Sequence, residues 1–316
     1  MPWTRADDRC EIYYEVHGDG PTVVFAPGFM GITDIWRAQI DALSESYRCI
    51  AFDNRGAGRS EKPLPAIAYG VEQHARDLGA VLDAAGVSEP VVIVGHSMGG
   101  NTASAFYFEQ AHRVAGIVYV GSYVAGQQIH EAGNTLEAIK HAVQTAAGRT
   151  AFFEAVGLPS HIALESTKWP LYAVAGNAES FMAFDMSDRI GDITVPCLIL
   201  HGDRDIVSPL DPCAYALARG LRDSRLVVFE DVNHCPAVED PAKATALIRD
   251  FLAQTGRLSE THKRWCDRKH AASQSYRGTR QPRRKARCTR TQESGDAIGT
   301  ERRQPFVCAW PGVEVP

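Results

Sequence analysis

The hexapeptide Gly95-His96-Ser97-Met98-Gly99-Gly100 constrains the fold more than any other feature of the chain. It follows the apolar run Val91 to Val94 and opens a helical pattern from Met98, so strand must give way to helix within one tight turn. A turn that sharp needs glycine where a Cβ would strike neighbouring backbone, and it lifts a serine hydroxyl above the carboxyl end of the strand. A strand buried on both faces and followed at once by a helix is the repeating unit of a parallel sheet.

The chain up to residue 256 repeats that unit. Short Val- and Ile-rich runs at Arg48 to Phe52, Val91 to Val94, Val114 to Val120, Val195 to Leu200 and Leu226 to Phe229 alternate with helical patterns near 35–45, 70–86, 98–110, 210–219 and 240–254. Cys10 to Val16 and Thr22 to Ala26, separated by His17-Gly18-Asp19-Gly20-Pro21, predict a hairpin. The fold class is therefore α/β, a mostly parallel sheet with helices on both faces. Residues 122–187 lack a strand pattern but hold helical windows such as Leu136 to Ala147 and several aromatics. A plain loop of that length is not expected in a compact domain, so the segment predicts a helical cap. The expected layout is core over 1–121 and 188–256, cap over 122–187, and a separate tail over 257–316.

Composition enters at that last boundary. The tail carries 14 Lys and Arg against 6 Asp and Glu, leaving 19 basic and 32 acidic side chains for residues 1–256. With no apolar periodicity it cannot offset its ordering entropy and is expected to be disordered. Its Arg-rich mix with three Cys and two Trp points to out-of-frame or read-through translation. The rival is a basic arm for a polyanion, but no nucleic-acid-binding module is recognisable, so nucleic acid is not an expected partner. The cysteines show no C-x-x-C spacing and most read as small buried hydrophobes. No run reaches the roughly 18 to 20 apolar residues of a membrane-spanning helix, and the polar start lacks a secretory core. A cytoplasmic location without membrane, metal or cofactor is the expectation, as monomer or dimer.

A serine alcohol needs a base to become a nucleophile. After such a turn the expected chain order is serine, acid, histidine. Leu198 to Pro209 runs from a strand into a loop holding two candidate acids, Asp203 and Asp205, and Val232-Asn233-His234-Cys235-Pro236 follows the next strand. All would meet at the carboxyl edge of the sheet, where open α/β sheets build their sites. His234 would take the proton of Ser97, and the acid would fix its tautomer. Donors for an oxyanion would be the backbone N–H groups of Met98 and Phe29, since Pro27 has none.

Five motifs in order then resemble the α/β-hydrolase superfamily, in particular its cap-bearing serine hydrolases. They are Pro27-Gly28-Phe29, the run Asp53 to Ser60, the turn around Ser97, Gly202 to Pro209, and His234 to Pro241, spanning roughly residues 10–254. The resemblance implies the α/β-hydrolase fold and selects Asp205 as the acid by its spacing from Gly202 and Pro209. It supports Ser97, His234, Phe29 and Met98 in their roles. The family's usual His-Gly is Pro27-Gly28 here, and Asp53 to Ser60 reads as a structural turn. A serine rather than an aspartate at the turn argues against dehalogenases and epoxide hydrolases.

The expected activity is cleavage of a carboxylic ester or lactone of a small to medium apolar substrate through an acyl-enzyme. Carbon–carbon bond hydrolysis and cofactor-free perhydrolysis are readings of the same triad, and a non-catalytic ligand sensor is the reading of another class. Phe29, Phe152, Trp169 and Phe181 are the candidate substrate-binding residues, with Met182 and Met186 adding to an apolar pocket.

Overall fold

The computed structural model describes residues 3–64 and 66–256. Eight strands form one sheet: β1 Trp3–Arg5, β2 Glu11–His17, β3 Thr22–Ala26, β4 Arg48–Phe52, β5 Val91–His96, β6 Val114–Val120, β7 Cys197–Gly202 and β8 Ser224–Phe229. Their order is β1-β2-β4-β3-β5-β6-β7-β8. From β4 onward every pairing is parallel, with Val24 beside both Ile50 and Ile93, and Val118 beside Leu198. The chain has the α/β-hydrolase fold.

The continuous apolar runs are explained by burial on two faces. Val24, Ile50, Ile93, Ile117 and Ile199 join one core cluster, while Val23, Cys49, Val92, Val118 and Leu198 join the other. Period-2 alternation sends each neighbour to the opposite face, and both faces are covered. Helices α2 (Val71–Ala84) and α3 (Met98–Gln110) pack on the first; α1 (Arg37–Leu43) and the helix over 241–256 pack on the second.

The expected hairpin does not form, because β4 lies between β2 and β3. β2 pairs antiparallel with β4, Tyr14 facing Phe52, while β3, buried almost throughout, takes an interior position. The glycines that signal a hairpin serve a different contact. Gly18 has φ +72°, and a Cβ there would collide with the carbonyl of Ser44, so it admits the 44–47 segment against the β2–β3 connection. β1 is a further difference; its three residues carry too little pattern to be read as a strand.

Between β6 and β7 lie five α-helices: α4 Gly126–Glu131, α5 Leu136–Ala142, α6 Ala146–Ala155, α7 Ser160–Glu165 and α8 Leu171–Ala183. The helical window Leu136 to Ala147 is broken, since Thr145 caps α6 by accepting from the Gly148 N–H at 3.0 Å. Among the described residues this insertion contains no strand beyond the single bridge Ala125–Asp185. No helix among them is long and apolar enough to cross a membrane. The five described cysteines, Cys10, Cys49, Cys197, Cys213 and Cys235, are buried and free; Cys266, Cys288, Cys308 and the 257–316 tail lie outside the described residues.

Candidate active site

The strand ends bring the sequence-predicted residues to one edge. Ser97 directly follows β5 with φ +52° and ψ −121°, a conformation that a residue with a side chain adopts only under constraint. Its N–H donates to Val120 O at 2.8 Å and its carbonyl accepts from Ser122 Oγ at 3.0 Å, which hold the residue in place. A Cβ at Gly99 would meet the Ala26 carbonyl, so only glycine lets α3 start so close to β3. Among the described residues no hydrogen bond occupies Ser97 Oγ, and Ser97 lines a cavity together with His234.

Asp205 and His234 are joined by a 2.8 Å hydrogen bond between Oδ2 and Nδ1. The carboxylate is saturated with donors: the Val207 and Ser208 N–H groups reach Oδ1, each at 2.8 Å, and Ser208 Oγ reaches Oδ2 at 2.9 Å. His201 Nε2 stands 3.3 Å from the same Oδ2. Burial would raise this carboxyl, but the His234 charge and the hydrogen bonds from His201 and His234 hold it well below the usual carboxylate range. Asp203, the other carboxylate of the loop, is exposed. A carboxylate on Nδ1–H leaves the Nε2 lone pair of His234 available to accept a proton.

His96 fills the position before the serine. Its Nε2–H donates to the His234 carbonyl at 3.0 Å, and the two rings lie 4.9 Å apart. Burial, aided by the His234 charge, lowers its pKa to about 3. His74 on α2 is also lowered to about 3, by burial and then by the Arg55 charge, and donates to Asn177 Oδ1 of α8 at 2.9 Å. Between pH 6.5 and about 3 the unfolded chain therefore binds protons at both positions that the folded chain does not. Stability should fall as pH drops below 6.5, by about 1.4 kcal/mol per pH unit for each histidine. Urea midpoints at pH 7 and pH 5 check this, and His74→Gln should flatten the profile; equal midpoints in the wild type would contradict it.

Of the two residues expected as oxyanion donors, Phe29 follows β3 and Met98 opens α3. The Phe29 ring rests on insertion aromatics, 5.1 Å from Phe181 and 6.5 Å from Phe152, edge to face. These three and Trp169 line a cavity that is partly open to solvent. No Asp, Glu, Lys or Arg is among its lining residues. Met182 and Met186 are not in it: Met186 is buried in a core cluster, and Met182 packs against that cluster.

Sequence reasoning did not single out Ser208 or Asn134. Ser208 braces the acid, and Asn134, from the insertion, donates to Ile206 O at 2.8 Å beside the acid loop. The Asn134 contact joins segments distant in sequence, and the Ser208 contact with Asp205, three residues away, depends on the conformation the loop adopts. Among the described residues no group of three or more His, Cys, Asp or Glu side chains is placed to hold a metal ion.

Several known proteins resemble this chain over most of its length. A family profile described as "alpha/beta hydrolase fold" matches residues 21–161. The "Putative carbamate hydrolase RutD" of Variovorax paradoxus (strain S110) is 31% identical over 77% of this chain and 96% of its own length. A non-heme haloperoxidase of Rhodococcus erythropolis is 29% identical over 78% of this chain and 98% of its own. Among solved structures, Est816, titled an N-acyl homoserine lactone degrading enzyme, superposes with a TM-score of 0.66 at 28% identity, covering 79% of this chain and all of that one (100%).

Proposed function

The chain belongs to the α/β-hydrolase superfamily, and on that premise we propose that it is a serine hydrolase cleaving an uncharged, apolar carboxylic ester or lactone through an acyl-enzyme. The observation that carries this reading is the convergence of the constrained Ser97 and the Asp205-bound His234 on one apolar cavity. His234 Nε2 takes the proton of Ser97 Oγ as the oxygen attacks the acyl carbon. The N–H groups of Phe29 and Met98 receive the negative charge that grows on the carbonyl oxygen. His234 then returns the proton to the leaving alcohol, and a water repeats the sequence to release the acid.

The lining determines which ester is accepted. An anionic substrate would surrender its hydration with no cation to meet it. Neutral p-nitrophenyl acyl esters and neutral lactones should therefore turn over, and esters with a free carboxylate on the acyl chain should be slower by about 100-fold or more in kcat/KM, a difference of roughly 3 kcal/mol. A fluorophosphonate should label Ser97. Esters, lactones, carbamates, vinylogous diketones, and acid plus peroxide run side by side separate this reading from its relatives. Silence on all of them, with Ser97 unlabelled, would favour the ligand-sensing reading.

A further inference from the structure

The run Asp53 to Ser60 has no part in that chemistry, yet its second residue reaches the loop that carries Phe29. Asn54 is 1% exposed. Its Nδ2 donates to Gly28 O at 2.7 Å and Pro27 O at 3.1 Å, and its backbone N–H donates to Gly31 O at 3.2 Å. Gly28 O also accepts from the Gly31 N–H at 2.9 Å, closing a tight turn. The neighbours of Asn54 are fixed as well: Asp53 Oδ1 accepts from the Thr33 N–H at 2.8 Å, and the buried Arg55 pairs with Asp77 and Asp8.

The Gly28–Phe29 peptide is trans. In a planar trans peptide the C=O and N–H point in opposite directions. Holding the Gly28 carbonyl toward Asn54 therefore sets the direction of the Phe29 N–H, which has no hydrogen-bond acceptor among the described residues. The opposite end of the side chain, Oδ1, is buried and has no hydrogen-bond partner among the described residues. The contacts of this amide to the loop are therefore made through its donor end.

We infer that Asn54 is a positioning residue that aims the Phe29 N–H at the developing oxyanion; this rests on the acyl-transfer reading above. Asn54→Asp keeps the shape but sets an acceptor against two carbonyl oxygens, and Asn54→Ala removes the donors. Loss of a whole oxyanion donor costs about 10²- to 10³-fold in kcat, and misdirecting one should cost roughly 10- to 100-fold, with KM changed less than about threefold.

The discriminating measurement pairs a p-nitrophenyl ester with its thiono analogue, whose sulfur accepts hydrogen bonds weakly. The oxo-to-thiono ratio of kcat/KM should fall in both variants by a factor similar to the kcat loss. That ratio is independent of the folded fraction, so a destabilised variant remains informative. Wild-type protein that neither turns over the ester nor labels at Ser97 sinks the hydrolase reading itself. Wild-type turnover with an unchanged ratio in both variants overturns the Asn54 inference alone, as does failure of both variants to yield any titratable active site, which would make Asn54 a folding residue.

Discussion

Ser97→Ala and His234→Ala are each expected to lower kcat on a neutral p-nitrophenyl ester by on the order of 10⁴- to 10⁶-fold. In the proposed mechanism Ser97 supplies the attacking oxygen and His234 the base that makes it nucleophilic, so neither would work without the other. The double variant should then be little worse than either single one, since groups that act as a unit are removed once. The residual rate would come from the cavity and the Phe29 and Met98 donors. Stability should move in the opposite direction at Ser97. The residue is held at φ +52° and ψ −121°, a backbone cost on the order of 1–3 kcal/mol that a glycine does not incur. Ser97→Gly should thus be inactive yet melt above the wild type, as followed by thermal denaturation beside single-turnover kinetics. A loss below tenfold in either alanine variant would remove the assigned pair.

Much of the frame was legible because it depends on local pattern. Val91 to Val94 next to a glycine-bounded serine demands a strand, a turn and a helix whatever surrounds them, and the strands at Arg48, Val114 and Leu226 follow from apolar runs of fixed length. Pairing partners were not legible in the same way. Gly18 and Gly20 read as a hairpin turn, yet what they answer to is the approach of residues 44–47, a contact set by the whole sheet. The same limit applies at the site. Ser97, Asp205 and His234 stand at strand ends and announce themselves by spacing, whereas Ser208, His201 and Asn54 act through contacts that exist only after the loops are assembled. Aromatics of the insertion could be named as pocket candidates, but Met182 and Met186 pack with the core instead, and which side of a segment meets the core depends on what each side covers.

Asp205→Asn should lower kcat by about 10⁴-fold, while Asp203→Asn should stay within about twofold of the wild type. The asymmetry follows from the hydrogen bonds. Oδ1 of Asp205 accepts the Val207 and Ser208 N–H groups, so an asparagine must keep its oxygen there and place its NH₂ where Oδ2 now meets His234 Nδ1. That donor makes Nδ1 the acceptor and leaves the proton of the neutral ring on Nε2, which can no longer take one from Ser97. The substitution also removes the charge that would stabilise the imidazolium. Acid sensitivity should change with it. A carboxyl whose folded pKa lies below its unfolded value contributes stability above about pH 3.9, and this is lost as pH falls through the folded value. Asp205→Asn should therefore lose stability at neutral pH but shed part of the wild type's further loss below about pH 4. Asp203 is exposed and makes no hydrogen bond to His234 among the described residues, so its amide should leave the rate unchanged. Steady-state kinetics and urea melts from pH 7 to pH 3 on the two variants decide the matter: a tenfold loss in Asp203→Asn, or less than that in Asp205→Asn, would move the acid elsewhere.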